Sequence, residues 1–168
     1  MRALLELDGR LSAQLSLAER PGPLRNIAAV LAHSGDSWFW FIGLGLVWIF
    51  GDQLWRQRVQ VFLVGILITA VLVLVIKFSI KRRRPEGEWG RIYRSTDPHS
   101  FPSGHAARAM LLAMLAIGLG PAWLTWALVV WSPLVVLARV AMGVHYLSDV
   151  VAGGLLGILI GVVILGFI

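Results

Sequence analysis

The chain contains no cysteine. That excludes a disulfide framework, a zinc–thiolate site and a cysteine nucleophile. Charge is scarce as well: Asp, Glu, Lys and Arg make up 14% of the 168 residues, against about 25% in an ordinary soluble domain. Hydrophobic residues fill the gap at 58%, with 18 glycines on top, and the mean hydropathy is +0.79. Such a composition excludes a disordered chain and argues against a water-soluble globule. The length suits one domain. A net charge of +6 would suggest nucleic acid in a polar protein. In a chain this apolar it points instead to anionic lipid or a phosphorylated substrate, so no nucleic-acid partner is expected. The sequence reads as an integral membrane protein.

The charge-free runs place the spans. A bilayer core about 30 Å thick needs roughly 20 apolar residues per helix. Arg58 and Lys77 bracket 18 uncharged residues, and 19 follow Asp149. Arg108 and Arg139 bracket 30, too many for one helix, and Gly118-Leu119-Gly120-Pro121 divides them. Ser37 to Gly51 gives 15 more, extendable to Trp55. Five spans are expected, near 38–55, 58–80, 105–119, 122–143 and 146–168. Upstream, Leu4, Leu7, Leu11, Leu15 and Ala18 recur at helical spacing among Glu6, Asp8, Arg10 and Gln14. That is an amphipathic helix lying in the membrane interface, and its charges interrupt any signal-peptide core. A second short surface helix is expected over Leu24, Ile27, Ala28 and Leu31, after the break at Pro21-Gly22-Pro23. Gly153, Gly157 and Gly161 form a small-residue stripe in the last span, suited to close packing within the bundle or to a homo-oligomer seam.

With five spans, the unusual polar residues collect on one side of the membrane. Lys77, Lys81 and Arg84 stand at i, i+4 and i+7, one face of a helix end, which Pro85 stops. Stacked cations call for an anion between them; the alternative, which suits Arg82, Arg83 and Lys81, is snorkelling to lipid head groups. Pro102-Ser103-Gly104-His105 opens the third span. A helix N-terminus there offers unpaired N–H groups to phosphate, with Gly104 allowing close approach and Ser103 a hydroxyl; alone, the pattern is an ordinary cap. Arg139 closes the fourth span, and His145 and Asp149 sit at i, i+4 on one face of the fifth. An ionisable residue at Asp149's depth is a candidate for function, the alternative being a pair that only fixes packing.

Together these pieces are Lys77-x6-Arg84-Pro85, Pro102-Ser103-Gly104-His105 and Arg139-x5-His145-x3-Asp149. The set resembles the three-part signature of the type 2 phosphatidic acid phosphatase superfamily, over roughly residues 36–168. One departure stands out: Ala138 precedes Arg139 where the pattern usually has Ser. The resemblance implies an all-α, polytopic transmembrane bundle forming a single domain, with interfacial helices over 1–36 and a catalytic core over 37–168. It implies His145 as nucleophile forming a phosphohistidine, Asp149 holding its other ring nitrogen, and His105 as general acid and then base. Lys77, Arg84, Ser103, Gly104 and Arg139 would cradle the phosphoryl oxygens. Lys81 and Arg108 are candidate substrate contacts. No metal and no cofactor are implied.

Trp89, Arg91, Tyr93, Arg94 and His99 fall in a loop able to cover such a site, with His99 an ordinary loop residue. His33 and Asp36 precede the first span, and Asp36 reads as its N-cap. The implied substrate is a lipid phosphate, with a polyprenyl-linked phosphate or diphosphate favoured over phosphatidylglycerol phosphate or phosphatidic acid. A lipid phosphotransferase and a non-catalytic lipid-binding scaffold are the other readings. The setting would be a bacterial cell membrane. Setting aside Lys77, Arg84 and Arg139, ten Lys or Arg lie on the catalytic side against Arg56 and Arg58 on the other, which directs the site to the cytoplasm.

Overall fold

The computed structural model describes residues 2–87, 89 and 97–168, and these form seven helices: α1 (Arg2–Leu15), α2 (Pro23–Ser34), α3 (Ser37–Phe50), α4 (Gln53–Ile80), α5 (Gly104–Leu119), α6 (Ala122–Ala141) and α7 (Leu147–Leu165). No strand is present among the described residues. An all-helical solution follows from the apolar runs, because a lipid-embedded segment must satisfy its backbone within itself. α4, α6 and α7 are long and apolar enough to cross a membrane; α3 and α5 are apolar but shorter.

The helices match the expected spans with one instructive shift. α3 stops at Phe50, and α4 begins at Gln53 rather than near 58. Asp52 starts it by accepting a hydrogen bond from Trp55 N at 2.9 Å, a normal N-cap. Arg56 and Arg58 then stay inside the helix by lying over the Trp48 and Trp55 rings, 5.8 and 5.1 Å from their centroids. Paired with aromatic faces at a water–lipid boundary, these cations do not mark a helix end.

α5 is the axis of the bundle. From Ala106 to Ala116 nearly all of it is buried, Leu111, Leu112 and Leu115 completely. α4, α6 and α7 surround it through Phe62, Ile66, Leu128 and Ile160. Their outer faces expose Leu67, Val71 and Val75 on α4, Trp126, Val130 and Leu137 on α6, and Val151, Leu155 and Leu159 on α7. So extended an apolar surface suits lipid rather than water. The chain is an integral membrane protein.

The α7 glycine stripe is turned onto α5. Added Cβ atoms at Gly153 and Gly157 would strike the carbonyl oxygens of Ser103 and Ala107, and one at Gly161 would come within 2.6 Å of Met114 Cβ. An oligomer seam on this face is therefore corrected: the glycines are covered by the chain's own helix, which can approach so closely only because they lack side chains.

α2 packs on α6, with Ala28 and Ala32 against Ala138, Met142 and Val144. The small residue at 138 thus belongs to this helix contact. α1 turns Asp8 and buried Ser12 inward while Leu4, Leu7, Leu11 and Leu15 stay open, the arrangement an interfacial helix needs.

Gly157→Ala should lower the thermal unfolding midpoint of the detergent-solubilised protein, at a cost of about 1–3 kcal/mol from overpacking. Gly43→Ala on α3, where an added Cβ meets nothing within 4 Å, should leave the midpoint unchanged or raise it. Equal midpoints for the two variants would contradict this packing.

Candidate active site

At one end of the bundle the C-termini of α4 and α6 meet the N-termini of α3, α5 and α7. A cavity of about 240 Å³ opens there. Lys77, Arg84, Asp97, Gly104, His105, Arg108, Arg139 and His145 line it, with Ile66, Ala70, Val73 and Leu74 of α4 as an apolar wall. Lys77 comes from the last turn of α4, Gly104 and His105 open α5, Arg139 is in the last turn of α6, and His145 precedes α7.

Most of these groups are withdrawn from solvent. Lys77, Arg84, Arg108, Arg139 and His145 are each at most 7% exposed, and Asp149 behind His145 is fully buried. His145 is hydrogen-bonded on one side and faces a carboxylate on the other. An Arg84 N–H lies 3.2 Å from Nε2 and also donates to Val144 O at 2.9 Å, while Nδ1 lies 3.5 Å from Asp149 Oδ2. Burial, and then the charges of Arg84, Arg139 and Lys77, push the imidazole well below its usual pKa, only partly offset by Asp97. These influences favour the neutral ring, and because a guanidinium only donates, Nε2 accepts from Arg84 and carries the lone pair. A neutral imidazole is the nucleophilic form.

His105 has its own carboxylate: Asp36 Oδ1 lies 2.7 Å from its Nε2. Asp36 occupies the N-cap position of α3, but its side chain makes no cap. It turns instead to His105 and to His33 Nδ1 at 3.2 Å, which corrects the expectation of a simple capping role. The α2–α3 corner that carries it is pinned by Trp131 Nε1 to Ser34 Oγ, by Trp40 Nε1 to Ser34 O, and by Arg108 donating to Gly35 O and Ser37 Oγ. Burial alone would raise the Asp36 carboxyl. Hydrogen bonding and charge from His105, then His33, hold it down at about 2.

Three expectations change, those for Lys81, Arg82 and Ser103. Lys81 does not share a helix face with Lys77 and Arg84, because α4 ends at Ile80 and Lys81 takes a left-handed conformation, φ 53°. It is exposed, away from the cavity. The chain is drawn off the helix axis by the Arg83–His99 bridge and by Ser100 N donating to Arg82 O at 2.8 Å. Arg82 does not snorkel; it donates to Asp149 Oδ1 at 2.7 Å. Ser103 is buried as the N-cap of α5, accepting from Ala106 N at 3.4 Å, and does not line the cavity. Arg108 lines it but is engaged with the α2–α3 corner. Of the loop residues, His99 packs edge-on against Phe78 and Trp89 faces His33, while Arg91, Tyr93 and Arg94 lie outside the described residues.

Sequence reasoning missed Asp97. Its carboxylate bridges Lys77 Nζ and Arg84, the latter at 2.7 Å. Burial raises its pKa, but Lys77 and then Arg84 hold it below the usual range. A lone loop aspartate 20 residues from its lysine carries no motif; only the unbalanced cations of the first signature hinted that an anion was needed.

The sequence profile of the PAP2 superfamily matches residues 58–168. Decaprenylphosphoryl-5-phosphoribose phosphatase of Mycobacterium tuberculosis is 30% identical, over 95% of this chain and 88% of that protein. Undecaprenyl-diphosphatase of Sulfolobus acidocaldarius is 31% identical, over 80% of this chain and 66% of that one. Among solved structures, LpxE of Aquifex aeolicus superimposes with a TM-score of 0.73 at 26% identity, covering 96% of this chain and 94% of its own. The transmembrane PAP2-type phosphatidylglycerolphosphate phosphatase of Bacillus subtilis gives 0.80 at 24%, covering 99% and 87%, a likeness of fold.

Asp8, Asp36 and Asp97 are all held below the ordinary carboxylate value. Their stabilising contribution is fully present above the unfolded value of about 3.9 and is lost as pH falls through the folded values. The unfolding midpoint should decline from pH 7 to 5, where the unfolded His145 imidazole protonates and the buried one does not, and drop more steeply below pH 4, with Asp36→Asn lower at pH 6 and falling less below pH 4. A midpoint that rises on acidification would contradict the pairing.

Proposed function

The chain belongs to the PAP2 superfamily, and from that premise we propose that it is a membrane lipid phosphatase hydrolysing a polyprenyl-linked phosphate or diphosphate through a phosphohistidine. The observation that carries this reading is the cavity itself: buried cations and two imidazoles around one space, walled on α4 by Ile66, Ala70, Val73 and Leu74. A phosphate head fits the cations and an apolar tail fits the wall. The two relatives that act on polyprenyl compounds, by their names, align with 95% and 80% of the chain.

In the first step His145 Nε2 attacks phosphorus as the bond to the leaving oxygen breaks, and His105 protonates that oxygen. The Nδ1 proton faces Asp149, which steadies the imidazolium. Lys77, Arg84, Arg139 and the Gly104 N–H stabilise charge on the phosphoryl oxygens. In the second step His105 takes a proton from water, the water oxygen attacks phosphorus, and the phosphorus–Nε2 bond breaks to release phosphate. Side-chain cations supply the charge a metal ion would otherwise provide, so the reaction proceeds without one. Asp97 is the anion an arriving phosphoryl group displaces from Lys77 and Arg84.

The same reading takes α3 and α5 as shorter spans, five in all, and sets the site at the cytoplasmic face of a bacterial cell membrane. Of the ten basic residues on that side, Arg82 and Arg108 have partners inside the protein; the rest still outnumber Arg56 and Arg58. Because the chain lacks cysteine, Glu86→Cys gives a single label site. An impermeant maleimide should miss it in intact cells and reach it in inverted vesicles; labelling in intact cells would reverse the orientation.

Phosphate release from a panel of polyprenyl monophosphates, polyprenyl diphosphates, phosphatidic acid and phosphatidylglycerol phosphate tests the function. Polyprenyl compounds should be preferred, and vanadate should compete. Chelator should leave the rate unchanged; inhibition reversed by Mg²⁺ would refute the metal-free step. His145→Ala should lower kcat at least about 10³-fold and Arg84→Gln about 10²-fold, both with the native elution profile. Asp97→Asn should lower KM and tighten vanadate inhibition. Wild-type rates in His145→Ala would discard the mechanism.

A further inference from the structure

The first turn of α7 carries Asp149, the carboxylate that faces His145, and its backbone N–H groups need acceptors. They find them on another helix. Ser12 Oγ of α1 accepts from Leu147 N at 2.8 Å, and Asp8 Oδ1 accepts from Ser148 N at 3.0 Å. α1 therefore caps α7 in trans. Between the two helices lies the Arg82 guanidinium. One nitrogen donates to Asp149 Oδ1 at 2.7 Å and to Ser148 Oγ at 2.6 Å, and another to Asp8 Oδ2 at 2.7 Å. Its carbon stands 4.0 Å from the Tyr146 ring centroid, a stacking cation–π geometry. With Oδ1 of Asp149 held this way, Oδ2 is left to face Tyr146 N at 2.9 Å and His145 Nδ1.

We propose that Arg82 and Asp8 are positioning residues for the His145–Asp149 pair, and that through them the seating of α1 on the lipid surface is coupled to turnover. Neither residue lines the cavity. Their effect passes through the orientation of Asp149 and the start of α7. The adjoining flank of α1 exposes Leu4, Leu7, Leu11 and Leu15, at 71, 51, 39 and 49%, and its ligand is the bilayer interface. A helix that meets the lipid along one flank and holds the catalytic carboxylate's partner along the next joins the two. The proposal rests on the phosphatase reading above.

The test compares wild type, Arg82→Gln, Arg82→Lys, Asp8→Asn and the triple variant Leu4→Gln, Leu7→Gln, Leu11→Gln in lipid nanodiscs, with a polyprenyl phosphate as substrate. Arg82→Gln should lower kcat at least tenfold while KM and the vanadate inhibition constant stay within twofold, since the phosphate-facing cations are untouched. Arg82→Lys should recover part of kcat. Asp8→Asn and the leucine triple should each lower kcat several-fold, and the two combined should do no more than the stronger alone, because they act along one route. Wild-type kcat in Arg82→Gln, or a raised KM at unchanged kcat, overturns the positioning role. Should Arg82→Gln fail to fold, wild-type kcat in Asp8→Asn does the same. Full additivity of Asp8→Asn with the leucine triple overturns the coupling. A wild-type protein inactive on every lipid phosphate overturns both this and the phosphatase reading, whereas an active one with indifferent variants strikes this proposal alone.

Discussion

An excess of buried positive charge at one end of an apolar bundle is the constraint from which the rest follows. Lys77, Arg84, Arg108 and Arg139 are all buried, and the only comparably buried carboxylate among the described residues is Asp149. Each desolvated ion costs several kcal/mol unless something answers it. Among the groups that answer it are Asp97 across Lys77 and Arg84, Asp36 at His105, and main-chain oxygens at Arg84 and Arg108. A small dianion that enters the cavity completes the balance better than one carboxylate does. The charge that is costly to bury is the same charge that favours an arriving phosphate.

The helical frame exists to hold that charge in register. α5 lies at the centre because glycines on α7 let it approach, and Ser103 N donating to Asp149 O at 2.9 Å locks the starts of the two helices together. Each imidazole then receives a carboxylate from a different direction, Asp149 for His145 and Asp36 for His105. The surface helices are part of this frame. α2 carries the corner that delivers Asp36, and α1 caps the helix that delivers Asp149. The interfacial segment and the membrane core form one connected polar network at the water boundary.

Much of this was legible in the residues. Charge-free runs gave the helices almost to their ends, since lipid enforces both length and hydropathy. The motif residues Lys77, Arg84, Gly104, His105, Arg139 and His145 do meet at one cavity. The misreadings share a cause. Local spacing misplaces Lys81, Arg82 and Asp36 and says nothing of Asp97, because the last three are fixed by partners far along the chain: Arg82 by Asp8 and Asp149, Asp36 by His105, Asp97 by Lys77 and Arg84. Local periodicity also put Lys81 on a helix that the Arg83–His99 bridge had already ended. Ionic pairing over long separations leaves no period to read.

The central claim is that His145 becomes covalently phosphorylated. Rapid alkaline quenching of the purified enzyme with radiolabelled polyprenyl phosphate, followed by peptide mapping, tests it directly. The account predicts an acid-labile, alkali-stable label on His145 that forms within a single turnover and is absent from His145→Ala. Turnover of substrate with no label on the protein, or with the label on another residue, would contradict it.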